Sequence, residues 1–222
     1  MEEENNTDEN NQEEQIVIIE EKKEEVKSEK KYYDFISVGK RTAQKLYFIA
    51  QHDKNIAIEL LLKNADTKQR IVVCKSKKSA DALHYFLKDK DIKSLSIHGN
   101  HKTEQVEDAR RSFSVKETTL LITTDMILKS LELKNVDEVI SYDLPIDPQD
   151  YFYRLRLVDE VGYSIIFVSS DDEKNLEVLE LTMRCEIEDR ELDGFEPSPA
   201  PRQEKKRKKQ RHRKIKVKTK PL

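Results

Sequence analysis

Glycine is scarce in this chain: Gly39, Gly99, Gly162 and Gly194 are the four present, each isolated from the others. A phosphate-cradling loop of the G-x-x-x-x-G-K-[ST] kind needs clustered glycines, because backbone N–H groups must close around the anion, so no such cradle can be built. Cysteine is scarcer still, and Cys74 and Cys185 do not form a metal-ligand spacing. Both fall in segments expected to be packed, and they read as buried free thiols of a reducing compartment. The five histidines, His52, His84, His98, His101 and His212, stand in no Ser or Cys arrangement that would mark a nucleophile. Long apolar runs are missing as well. Nothing is long enough to span a bilayer, so no membrane partner is expected, and residues 1–30 hold no apolar core of signal-peptide type.

Charge is abundant and unevenly placed. Charged residues make up 38% of the chain, against about 25% in an average globular protein, so part of it is expected to lie outside any packed core. Of the net charge of −3, residues 1–30 carry −8 and residues 202–222 carry +11, which leaves −6 for the middle. The Glu/Asn-rich residues 1–41 bury too little apolar surface to offset their ordering entropy and are expected to be disordered. At the other end, P-S-P-A-P at 197–201 breaks packed structure and opens a linker, placed at 194–222 with the tail. The tail contains Lys205, Lys206, Arg207, Lys208, Lys209, Arg211, Arg213 and Lys214. Such a block repels itself until it meets a polyanion, and each phosphate it neutralised would release counterions. A nuclear or nucleolar address is a parallel reading of the same residues. The acidic amino-terminal segment could fold back on this tail and compete with RNA.

The middle, residues 42–193, reads as one α/β domain. Apolar, β-branched runs at 45–51, 68–74, 92–97, 119–124, 136–142 and 163–168 are strand candidates. Helical patterns from about Lys54 and at 77–87, 103–113, 150–158 and 173–184 alternate with them. That order implies a mostly parallel sheet with helices on both faces. Residues 119–145 organise it: two short buried strands end in Asp125 and Asp143, and loops at the carboxyl ends of parallel strands line ligand crevices. Asp125 is either part of such a crevice or a cap of the turn that follows.

The order and spacing of I-V-V-C-K-S-K-K-S-A at 71–80, the segment 98–113, L-L-I-T-T-D at 120–125, V-I-S-Y-D-L-P at 139–145 and Y-F-Y-R at 151–154 resemble the C-terminal RecA-like domain of DEAD-box RNA helicases in superfamily 2. The resemblance implies a RecA-like fold that grips the backbone of one RNA strand and completes an ATP site built mainly by a preceding domain. By position it implies RNA contacts from Ser76, Gly99 and Thr124, with Asp125 orienting its loop. Ser76 is equally a helix N-cap before Lys77. Phosphate contact at these places needs small donors and free N–H groups.

The departures from the family pattern carry as much information. A-A-R-G-L-D is replaced by Ile127-Leu128-Lys129-Ser130-Leu131-Glu132, where Lys129 gives up the planar fork of arginine. Glu132 moves the ribose-contacting carboxylate by one methylene. Thr103 and Val106 stand at the Gln and Arg positions of the Q-x-x-R element, leaving Arg110, Arg111 or Lys102 to compensate. H-R-I-G-R-T-G-R becomes Tyr153 to Glu160, and its two γ-phosphate arginines align with Leu157 and Glu160. Arg154 survives, expected as a structural contact within the sheet edge and grouped with Glu132 and Arg156 as a nucleotide-binding remnant. Arg156 is the one candidate for a remnant finger, and such arginines are worth about 10³–10⁵ in rate. No D-E-A-D tetrad is present. The expectation is a non-catalytic RNA- or ribonucleoprotein-binding pseudo-helicase, by analogy with a role in nucleolar ribosome assembly or RNA processing. It needs no cofactor, and ATP enters only with a separately encoded ATP-binding domain as partner. That split-helicase arrangement and a protein-interaction scaffold are the alternatives. The acidic start with its own Met is what a complete short protein would show.

Overall fold

The computed structural model describes residues 35–63 and 67–199. The acidic residues 1–30 and the basic segment from Lys205 to Lys214, with the expectations attached to them, lie outside the described residues. In chain order the elements are α1 (Phe35–Arg41), β1 (Ala43–Phe48), α2 (Lys54–Lys63), β2 (Arg70–Val73), α3 (Lys77–Asp89), β3 (Leu95–Ile97) and α4 (Thr103–Ser114). Then come β4 (Leu120–Thr123), α5 (Asp125–Leu131), β5 (Val136–Ser141), α6 (Pro148–Leu157), β6 (Val158–Val168) and α7 (Glu173–Met183). One six-stranded sheet has the order β1-β6-β5-β2-β4-β3, and every pairing in it is parallel. All the outgoing loops therefore gather at one edge of the sheet.

The central strands β2 and β4 are buried at every residue, which is what their uninterrupted apolar sequences require when helices cover both faces. Alternation sorts their side chains. Val72, Cys74, Ile122 and Ile140 pack under α2 and α3. Ile71, Val73, Leu121 and Val139 pack against α4 and α5. A third cluster, with Leu46, Ile166 and Val168 from the strands, joins α1, α6 and α7. α3 buries Ala80, Leu83 and Leu87. Tyr85, within the same helical pattern, is 63% exposed. At about 100° per residue it lies on the far side of the helix from Leu83.

The domain is longer than 42–193 at both ends. α1 extends it forward, with Val38 fully buried against the third cluster. Seven residues are too short a window for a periodic signal, so nothing in the pattern announced this helix. At the other end, Phe195 packs on the first cluster and the Ser198 N–H donates to Asp53 Oδ2 at 3.0 Å, so the Pro-rich run is docked rather than a free linker up to Pro199. Cys74 is buried, and burial, with Asp143 nearby, pushes its thiol up to about 12. Cys185, expected in the core, is only half-buried just past the end of α7.

β6 begins earlier than its apolar run suggests, at Val158. Its register against β5 slips, because Val136 faces Val158 while Glu138 faces Tyr163. Three extra residues are thereby accommodated as a bulge ending at Gly162. A Cβ on Gly162 would stand 2.5 Å from Asp137 O and 2.8 Å from Val158 Cγ1. Gly162→Ala is accordingly expected to destabilise the fold by about 1–3 kcal/mol, as overpacking against backbone does. Equilibrium urea unfolding measures it, and an unchanged midpoint would show that the bulge can relax freely. Among the described residues no helix is long and apolar enough to cross a membrane.

Candidate nucleic-acid interface

Three adjacent strands, β2, β4 and β3, bring Ser76, Thr124 and Gly99 to the carboxyl edge of the sheet. Ser76 is exposed and caps α3, its Oγ accepting from the Ser79 N–H at 3.1 Å. The capping role is thus met, and the amino end of a 13-residue helix opens onto this edge, where its partial positive charge favours anions. Gly99 is also exposed. A Cβ there would meet Met126 Cε at 3.1 Å and Lys77 Cε at 3.3 Å. Lys77 Nζ in turn donates to Asn100 Oδ1 at 2.7 Å. The outgoing loops of all three strands therefore touch, with Lys77, Asn100 and Met126 as the joints. Sequence reasoning passed over these three because no motif singles them out. Lys75, Lys78 and Lys102 are exposed on the same connections.

Thr124 is only 8% exposed and stands at the N-cap position of α5 without a side-chain cap bond. Asp125, the first residue of α5, serves as no cap. Its two oxygens accept from Arg154 Nε and Nη2, each at 2.8 Å. The third guanidinium nitrogen, Nη1, donates to Asp143 O at 3.0 Å. Arg154 is fully buried, so this residue, grouped with nucleotide contacts in the sequence, presents nothing to a ligand. It ties the ends of β4 and β5 to α6 with the bidentate geometry that only arginine offers.

A second buried charge supports the same edge. Lys54 Nζ lies 3.4 Å from both Asp143 Oδ1 and Asp172 Oδ2 and is wholly shielded from solvent. The Lys75 N–H donates to Asp143 Oδ2 at 3.0 Å. Burial pushes the Asp172 carboxyl up, but the Ser169 hydroxyl, the Lys54 ammonium and the Ser169 N–H outweigh it and hold it below the usual range. Lys54 is separated from Asp143 and Asp172 by 89 and 118 positions, and no local pattern could have joined them.

The remaining candidates lie elsewhere. Arg111 is exposed near the far end of α4, where it pairs with Asp108. That is about 12 Å along the helix from its start, so it does not join Ser76 and Gly99. Lys129 is bonded to Asp150, and that contact raises its pKa. Glu132 and Arg156 do come together, at the opposite, amino edge. They line a cleft of about 920 Å³ with Arg41, Arg110, Lys134 and Tyr153. Leu157, aligned with one phosphate-reaching arginine, is 3% exposed, and Glu160, aligned with the other, points from the bulge into solvent. α6 runs into β6 with no intervening loop.

Comparison with known proteins agrees with this architecture. Residues 53–156 match the helicase conserved C-terminal domain. The DEAD-box ATP-dependent RNA helicase RhpA of Helicobacter pylori is 31% identical over 156 residues, 69% of this chain and 31% of that protein. The chain thus spans less than a third of that relative's length. Among solved structures, a DEAD box protein from Methanococcus jannaschii superposes with a TM-score of 0.65 at 26% identity, over 69% of this chain and 43% of that one. Dbp5 of S. cerevisiae, bound to RNA and ADP BeF3, gives 0.60 at 22% identity over 67% of this chain and 40% of its own.

Proposed function

We propose that this chain, whose residues 53–156 match the helicase conserved C-terminal domain and which is similar over 69% of its length to a DEAD-box RNA helicase, binds RNA or ribonucleoprotein without contributing to ATP hydrolysis. One observation carries the reading: where the family places its two phosphate-reaching arginines, α6 passes directly into β6 and the residues are Leu157 and Glu160. A buried leucine offers no charge to a cleaving phosphate, and a carboxylate beside the nucleotide adds repulsion. The contact between Ser76–Lys77, Gly99–Asn100 and Met126 supports the binding half, since it leaves small groups and lysines grouped at one edge. That Dbp5 has been seen with RNA is in keeping with this.

The test is fluorescence anisotropy with single-stranded RNA at two salt concentrations, beside a phosphate-release assay. Binding that weakens steeply with salt, with no ATP turnover, is expected. Absence of binding in low salt, or unaided hydrolysis abolished by Arg156→Ala, overturns the reading. Ribosome assembly or RNA processing in the nucleolus is its cellular extension, resting on the basic tail, and imaging of the tagged protein checks it.

A second reading has its own observation. Arg156 and Glu132 share the 920 Å³ cleft with Arg41, Arg110 and Lys134, as half of a nucleotide site completed by a separate ATP-binding domain would require. It predicts RNA-stimulated ATPase activity only when that partner is added, with Arg156 required.

A further inference from the structure

Residues 171–196, comprising α7 and the segment after it, hold 11 acidic and 3 basic residues, and nine of the acidic ones are exposed. The fold uses few of these carboxylates. Asp172 is taken by Lys54 and Ser169, Glu180 by the Ile187 N–H, and Glu188 by Arg190. α7 buries Leu176, Leu179 and Met183 but turns Val178 (49% exposed) and Leu181 (78% exposed) outward. Beside them a shallow groove of about 560 Å³ is lined by Glu177, Glu180, Leu181, Arg184, Cys185 and Glu186. Apolar and acidic groups on one open helix face are suited to a cationic segment with a little apolar surface, and they repel RNA.

The path of the chain says which segment is at hand. After α7 it runs beside β1, with Asp189 bridged in parallel to Leu46. The Leu46 N–H donates to Glu188 O, and the Arg190 N–H to Leu46 O. A parallel strap travels toward the carboxyl edge, where the Ser198 N–H is held by Asp53. The next residue, Lys54, bonds Asp172 at the amino end of α7. The strap thus ends at the carboxyl edge on the α2 face, with α7 on the opposite face of the sheet and its amino end reached across that edge by Lys54. An 11-residue helix is about 16 Å long, and an extended chain covers about 3.3 Å per residue. Extended, residues 200–217 cover about 60 Å, enough to pass over the sheet edge and run the length of the helix. Ile215 and Val217 are the apolar side chains within the lysine-rich run, matching the pair of apolar groups on the helix.

We propose that the outer face of α7 is the docking site of the chain's own basic segment, residues 205–217, and that RNA binds by displacing it. The displacement rests on the RNA reading above; the docking does not. When only the undocked fraction meets RNA, the apparent affinity falls by that fraction.

Zero-length carbodiimide cross-linking of the full chain, mapped by mass spectrometry, tests the docking. Amide links from lysines 205–214 to Glu173, Glu177 or Glu186 within the monomer are expected. They are expected to vanish in roughly 0.5 M salt or on adding a single-stranded RNA oligonucleotide. Links confined to residues 1–30, links only between copies, or none at all would overturn it. Persistence of the links with RNA bound would overturn the displacement.

A second measurement separates docking from plain repulsion. The triple variant Glu173→Gln, Glu177→Gln, Glu186→Gln is expected to bind RNA roughly tenfold more tightly, from three screened ion pairs released together. Adding Lys→Gln changes at Lys205, Lys206, Lys208 and Lys209 is expected to abolish that gain, and a gain that survives them counts against docking. If the full chain binds no RNA, the proposed function falls while the cross-links still decide the docking.

Discussion

Arg154→Met is expected to lower stability by about 3–5 kcal/mol, because breaking a buried ion pair leaves its partner charged and uncompensated. Three contacts are lost at once: both bonds to Asp125 and the one to Asp143 O. The Asp125 side chain keeps 21% exposure, and the water this admits places the loss toward the lower end. Against a total of about 5–15 kcal/mol for a domain, such a loss is a large fraction. Arg154→Lys is expected to recover part, since a point charge reaches one carboxylate oxygen and no carbonyl. Arg154→Met with Asp125→Asn is expected to recover more, having removed both charges. Urea unfolding of these proteins together with Asp125→Asn alone closes the cycle, and a loss below about 1 kcal/mol for Arg154→Met would mean that Asp125 is well solvated despite the geometry. The same series bears on function. If Arg154 acts by holding Asp125, RNA affinity should fall with stability in Arg154→Met and return with it in the double variant.

Ending the chain at Pro201 is expected to cost about a thousandfold in RNA affinity near ~0.1 M salt and to flatten the salt dependence. Residues 202–222 hold 12 basic residues. If about eight of them meet phosphates, the slope of log affinity against log salt is roughly −0.7 per contact, so between −5 and −6 in all. Removing them leaves residues 1–201 with a net charge of −14, of which residues 31–201 carry −6, so that the protein repels RNA at a distance and attracts it only at the carboxyl edge. What remains should be weak and shallow in salt. Equal affinity and equal slope with and without the tail would remove its assigned role. A strong loss of affinity with an unchanged slope would be inconsistent with phosphate neutralisation.

The parts of the fold that could be read directly were those whose local sequence has one physical solution. R-I-V-V and L-L-I-T are buried on both faces and could hardly be placed anywhere but mid-sheet. Ser76 reads as a cap before a helical pattern, and it is one. Where local preference and tertiary packing part, the reading failed. α1 is held by burial of Val38 rather than by any pattern of its own. α5 is a seven-residue helix pinned by Asp125 to Arg154. β6 takes in Val158, read as the end of a helix, and the unassigned residues 159–162, because pairing with β5 extends past a bulge. Tyr85 stands among the apolar residues of a helical pattern and is turned out by helix geometry.

The sequence alone determined that no glycine-rich phosphate loop is present. Four isolated glycines cannot close on a phosphate, and the charge divides into an acidic middle and a basic end whatever the fold. It could not decide which retained residues face a ligand. Arg154 and Arg156 are two positions apart, yet one is sealed against Asp125 and the other lines an open cleft. Ser76, Gly99 and the joint at Met126 meet only because β2, β4 and β3 are neighbours. Exposure and pairing are set by contacts between residues far apart in the chain, and those exist only once the sheet has closed.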